Sequence, residues 1–368
     1  MSTLMQAHQQ WASRPDDERF TSLDEMLQHF KLQRQNSRAL GLASRDLRAE
    51  PIIDDESRKA LAIVGPGDAA VAPTHWAFGQ LASLAKAPAG YMRALPADIA
   101  ADCINYGLHN ERVADIGTLL RGGGDVPMMA AATGPNYGRV WNDAILEATV
   151  NRFGNGIDGD FTVPGEFGKA VDVNKSNTTL FGSDRDMWIF LADEKNRIEV
   201  PGRRPGETGS LARGFFMWNS EVGSASLGIA TFLFDYACSN RIVWGAQGYE
   251  EIRIRHTSGA PHRWIEEAAP ALESYANSST AGITKAIEDA RAKRIGDQDE
   301  VAEFLSKRRF TRTQAQGIMA SHLAEEGRPI ETLWDATVGA TAYAKGIKHQ
   351  DQRVGIEREA GRIMAMAG

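Results

Sequence analysis

TLFGSDRDMWIFLADEKNRIEVPGRRPGETGSLARGFFMWNSEVGSASLGIATFLFDYACSNRIVWG, residues 179–245, carries the densest apolar and aromatic blocks of the 368-residue chain. Most of the blocks are short. MWIFLA reads as a strand, Asp193 to Asn196 as a turn, and RIEV as the returning strand. A basic Gly/Pro-rich loop, PGRRPGETGSLARG, leads into FFMWNS, and Glu221-Val222-Gly223-Ser224 forms a polar turn. LGIATFLFDYACS fits a strand or a buried helix, because an apolar run alone does not choose between them. IVWG and EEIRIRHT alternate, with Ile252 and Ile254 facing one way and Arg253 and Arg255 the other. Alternation also puts Phe216 with Trp218 and Phe215 with Met217, so at most one of these pairs is exposed.

Outward from this stretch the periodicity changes. Residues 264–368 have helical spacing throughout. Upstream, Trp141–Phe153 is an amphipathic helix closed by Gly154, and Pro73-Thr74 opens a helical hairpin running to Tyr106, whose aromatics read as core. ALAIV before Gly65-Pro66-Gly67, residues 111–124 and residues 125–140 each supply a short strand. Thr21-Ser22 with Asp24-Glu25 marks a helix start ahead of Leu23, Met26, Leu27 and Phe30. Gln33–Arg48, with Arg34, Arg38, Arg45 and Arg48, reads as a solvated face or mobile arm. The expected fold is α+β, a central, mostly antiparallel twisted sheet with flanking helices and a helical C-terminal region. Its expected divisions are an N-terminal helical or mobile arm (1–50), an α+β core domain (51–265) and a C-terminal helical region (266–368).

The formal net charge of -7 argues against a generally basic nucleic-acid coat but permits a local basic face. Two cysteines far apart, Cys103 and Cys238, fit a reduced cytosolic protein. The first twenty residues lack the pattern of a secretory signal, and no apolar run reaches membrane-spanning length. Cytoplasmic localisation is the expectation.

Enzyme signatures are scarce. The chain has no GxxxxGK[ST], HExxH, GxSxG or CxxC pattern. Gly154-Asn155-Gly156-Ile157-Asp158-Gly159 satisfies GxGxxG, but it follows a helix and runs into Asp160, which would repel a pyrophosphate. The glycines are read as a helix cap and a tight turn. His256 and His262 do not have the spacing of a helical metal site, so neither cofactor nor metal is expected. Asp184 and Asp186 lie two apart, on one face if the backbone is extended. They are the carboxylates on which a metal-dependent phosphodiester enzyme would rely.

Arginines give the stronger signal. Between Arg197 and Arg263, eight Lys and Arg stand against six Asp and Glu, a local balance of +2. Arg197, Arg203, Arg204 and Arg213 flank or occupy the basic loop, and Arg241, Arg253 and Arg255 lie on the following strands. The planar guanidinium fork suits phosphate, and Trp218 offers a stacking surface for an unpaired base. No residue is assigned a catalytic role.

FFMWNSEVGSASLGIATFLFDYACSNRIVWG (215–245) resembles a phage/plasmid-like family of uncharacterised proteins, domain of unknown function 932. That family carries an N-S-x-D-G-S turn, an apolar strand and an R-V-V-C-x-N block. Asn219–Ser224 stands at the turn and Asn240–Gly245 at the block; Glu221-Val222 departs from the turn, and Cys238 precedes the arginine rather than following it. Residues 74–96, 134–149 and 333–353 are similar to further family segments in the same order. The resemblance implies a mobile-element setting and no established activity.

The leading expectation is a non-catalytic nucleic-acid-binding protein of a phage or plasmid. It would bind or anneal single-stranded DNA in recombination and work as a homo-oligomer. The alternatives are the phosphodiester enzyme and an interaction protein that counteracts a host defence or replication factor.

Overall fold

The computed structural model describes residues 14–53, 59–68, 70–110, 115–122, 127–164, 172–176, 178–204, 207–235, 240–242, 251–347 and 350–367. At 53, 59, 201–204, 207, 208, 234, 235, 240–242 and 350–354 it describes the backbone alone.

The 179–245 stretch builds the centre of a nine-stranded antiparallel sheet. β10 (Met187–Asp193), β12 (Glu207–Asn219) and β13 (Leu227–Asp235) are its middle strands. β9 (Leu180–Gly182) and β1 (Arg19–Phe20) continue past β10, while β14 (Asn240–Ile242) and β15 (Ile252–Ile254) both pair with β13. β8 (Phe161–Thr162) pairs with β10, and β11 (Ile198–Arg204) with β12. LGIATFLFD is therefore a strand. Eight consecutive pairs from Leu211↔Asp235 to Trp218↔Gly228 give its peptide groups sheet partners.

Every residue of β10 is buried, as expected of a strand covered on both faces. Ile189, Leu191, Phe215, Met217 and Leu233 belong to one apolar cluster, and Trp188, Phe190, Phe216, Trp218 and Phe232 to another. The alternation is as expected, but neither the Phe216/Trp218 pair nor the Phe215/Met217 pair is exposed.

The first cluster is completed by helices. They are α1 (Leu23–Gln35), α5 (Asn142–Phe153) and the C-terminal elements α6 (Ala260–Arg263), α7 (Ala269–Asn277), α8 (Ala281–Ala292), α9 (Gln298–Ser306), α10 (Arg312–Glu326), α11 (Leu333–Lys345) and α12 (Gln350–Met364). Local sequence sets many of their starts. Ser22 accepts the Glu25 amide, and reciprocal capping boxes open α9, α10 and α11 at Asp297, Thr311 and Thr332. The 266–368 region shares its core with the sheet instead of forming a separate one.

A second, six-stranded sheet runs β2 (Ser37–Ala43), β6 (Asp115–Arg121), β7 (Met128–Thr133), β5 (Ala70–Pro73), β4 (Lys59–Val64), β3 (Arg48–Ile53), with β5 and β7 its parallel pair. α2 (His75–Leu84), α3 (Ala89–Met92) and α4 (Ala97–Asn110) complete its core, and Thr74 caps α2. The mixed but mostly antiparallel α+β architecture expected from the sequence is present.

Two expectations need correction. Residues 14–50 are not an arm, because β1 pairs with β9 in the first sheet and β2 with β6 in the second. Local charge marked a solvated face, and Arg38, Arg45 and Arg48 are exposed, but distant strands pair the backbone that carries it. The hairpin aromatics are not all core either: Tyr91 and Tyr106 are 64% and 73% exposed. Cys103 is a free thiol, and Cys238 lies outside the described residues. Among the described residues no helix is long and apolar enough to cross a membrane.

Candidate nucleic-acid interface

β15 presents the clearest basic edge. Ile252 and Ile254 join the apolar cluster beneath the sheet, which leaves Arg253 and Arg255 exposed on the other face. Gly228 pairs with both Arg253 and Trp218, so the three form one row across the sheet. A Cβ on Gly228 would fall 2.0 Å from Trp218 Cζ2. The missing side chain thus lets the indole lie over β13, with the Arg253 guanidinium 5.9 Å from its ring centre. Arg241 pairs with Phe234, which pairs with Ala212, a member of the same cluster as Trp218.

The remaining expected residues divide. Arg197 is exposed just before β11, with Nε donating to the Glu194 carbonyl at 3.2 Å. Arg203 and Arg204 end β11, where Arg204 pairs with Glu207. The side chains of Arg203, Arg204 and Arg241 lie outside what the structure describes, as does Trp244 entirely.

Arg213 and Trp218 require correction. Trp218 is 1% exposed and packs against Trp188 and Phe216, each with its ring centre 5.5 Å away, so it is not open to a base. Arg213 is 5% exposed and lies on the opposite, helix-covered face. Its Nε donates to Asp193 at 3.1 Å, and its terminal nitrogens donate to the carbonyls of Tyr275, Ala276 and Ser278 at 3.2, 2.8 and 2.5 Å. It therefore closes the C-terminal end of α7.

Asp184 and Asp186 do not converge on a cation position. Asp186 is buried and bonded by Arg14 and the Ser183 hydroxyl, whereas the Asp184 side chain is half exposed. Among the described residues no group of three or more His, Cys, Asp or Glu side chains could hold a metal ion.

The polar turn at 219–224 has a different role: it joins the two sheets. Trp76 Nε1 and Gln80 Nε2 from α2 donate to the Val222 carbonyl at 3.0 and 2.8 Å. Tyr137 Oη donates to the Ser220 carbonyl at 2.6 Å, and Arg139 Nε to the Glu221 carbonyl at 2.7 Å. The Glu221 carboxylate, 3% exposed, accepts from Arg121 at 2.9 Å and from the Asn142 amide at the start of α5 at 2.8 Å. Burial pushes that carboxyl up, while Arg121 and the Asn142 amide pull it down. Reading the turn as a break between apolar blocks missed this role; the signal was an acid set between buried strands.

His256 seals the same joint. Its ring stacks on Tyr137 at 4.8 Å, and with Nδ1 protonated it donates to the Gly138 carbonyl at 3.0 Å. Burial lowers its pKa to about 4. The unfolded chain, with an ordinary histidine, binds the extra proton first. His256 therefore contributes its full stability above pH 6.5 and loses it as pH falls through about 4, a swing of roughly 3 kcal/mol. Urea unfolding between pH 7 and pH 4 measures it. His256→Gln is expected to remove that part of the slope; an unchanged slope in the variant assigns the pH dependence to other groups.

No curated protein and no solved structure matches the chain. A family model described as Domain of unknown function (DUF932) matches residues 168–356. Those residues take in both the 215–245 stretch and the 333–353 segment, while 74–96 and 134–149 precede them. The match covers just over half of the chain, from the central sheet into α12, and the protein belongs to the DUF932 family.

Proposed function

We propose that this protein binds single-stranded nucleic acid without catalysing a reaction on it, as a binding or annealing protein of a phage or plasmid. The observation that carries the reading is the pair Arg253, on β15, and Arg255, just past its end, both exposed above a buried apolar row. Arginines two residues apart in extended backbone sit about 7 Å apart along the chain, a spacing that suits successive phosphates. Arg197 and the backbone positions of Arg203, Arg204 and Arg241 extend the basic region along the sheet. With Trp218 buried, phosphate contacts rather than stacking at that residue would dominate. Self-association would lengthen the face, and recombination in the cytoplasm is the setting the reading fits.

Fluorescence anisotropy with a labelled oligonucleotide tests this reading. Affinity is expected to fall steeply with salt, and Arg253→Ala/Arg255→Ala to reduce the log–log slope by about 1.4, the share of two lost phosphate contacts on a single strand. Salt-independent binding, or a double variant that binds like the parent protein, overturns it. Sizing the free and DNA-bound protein tests the oligomer.

A further inference from the structure

Arg253 does not stand alone. Its Nε and a terminal nitrogen reach Glu251 Oε1 at 2.6 and 2.5 Å. The second oxygen of Glu251 lies 3.7 Å from a terminal nitrogen of Arg358, on α12. That distance is too long for a hydrogen bond, and the Arg358 nitrogen is buried with no hydrogen-bond partner among the described residues. Arg362 lies one turn further along α12 and pairs with Glu359. Burial, together with the neighbouring Arg253 and Arg362, pushes the Arg358 guanidinium down from its ordinary value. Three guanidiniums thus share two carboxylates, and Arg358 is the one left short of an acceptor.

Accepting the nucleic-acid reading above, we infer that Arg253 and Arg358 form a phosphate subsite in which Glu251 holds the anion position until a phosphodiester displaces it. The chemistry follows from counting acceptors. Glu251 spends its close contacts on Arg253 and faces Arg358 without bonding it. A phosphodiester carries two charged oxygens and can serve both forks at once. Arg253, Arg358 and Glu251 have side chains 42%, 32% and 30% exposed, so the site opens to solvent. Arg358 was outside the basic region read from the sequence, because α12 follows β15 by about a hundred residues.

The test uses Glu251→Gln, Arg358→Gln and, as a charge control, Glu303→Gln on α9, with a labelled single-stranded oligonucleotide and thermal unfolding in parallel. Glu251→Gln is expected to tighten binding by up to about fivefold, the worth of an exposed ion pair no longer competing. Glu303→Gln should leave affinity within error. Arg358→Gln is expected to lower the salt slope by about 0.7, one phosphate contact on a single strand. If Glu251 is instead a latch between β15 and α12, its loss lowers affinity and melting temperature together, which overturns the inference. It is also overturned if Arg358→Gln keeps the parent slope. In both cases the nucleic-acid reading stands while the Arg253/Arg255 variant still weakens binding. Absence of salt-dependent binding by the parent protein overturns both.

Discussion

Glu221→Ala is expected to destabilise the protein by about 3–5 kcal/mol, the cost of stripping one partner from a buried ion pair. Arg121, 8% exposed, would keep its charge but, among the described residues, retain as acceptor only the Asp184 carbonyl at 2.8 Å. The Asn142 amide would lose its carboxylate at the first turn of α5, where the helix dipole favours one. The change strikes where the two sheets meet, so the loss should be cooperative. Urea unfolding followed by tryptophan fluorescence and by far-ultraviolet circular dichroism should give coincident, shifted transitions. Destabilisation below about 1 kcal/mol would mean that Arg121 finds another acceptor and that the turn is not the joint described. Glu221→Gln separates charge from shape: it keeps an acceptor for Arg121 and should cost less than alanine.

Arg213→Ala is the second large effect, again about 3–5 kcal/mol by the same reasoning. Asp193 is fully buried and, among the described residues, would keep only Asn196, whose backbone and side-chain amides reach it at 3.0 Å. The carbonyls of Tyr275, Ala276 and Ser278 would lose their shared donor at the end of α7. Lysine is a poor replacement, because one ammonium cannot serve a carboxylate and three carbonyls spread around a planar fork. Arg213→Lys is therefore expected to be destabilised in urea while the folded protein keeps the parent salt slope for single-stranded DNA. A changed slope in folded Arg213→Lys would return Arg213 to the binding face.

These two residues show where sequence reasoning stopped. Arg213 lies in a run of basic residues and was grouped with them by proximity in the chain. Its carbonyl partners are 62 to 65 residues away, at the end of a helix whose position over the sheet no local pattern reveals. Arg253 and Arg255 were legible because a period of two in IRIRH assigns opposite faces from neighbouring residues alone. Arg358 was not legible, for the same reason as the partners of Arg213.

The sequence by itself determined what short-range physics controls. Short apolar blocks between polar turns marked β10 and the end of β12, period-two alternation marked β15, and period 3.6 with hydroxyl and carboxyl caps marked many helices and their starts. Together these established the α+β class. Tertiary structure decided everything that depends on distant partners. It drew β2 to β6 and β1 to β9, covered both faces of the aromatic strands, and turned Glu221 from a turn residue into a buried joint. Pairing and burial join residues remote in the chain, and a side chain's chemistry is set by what arrives against it.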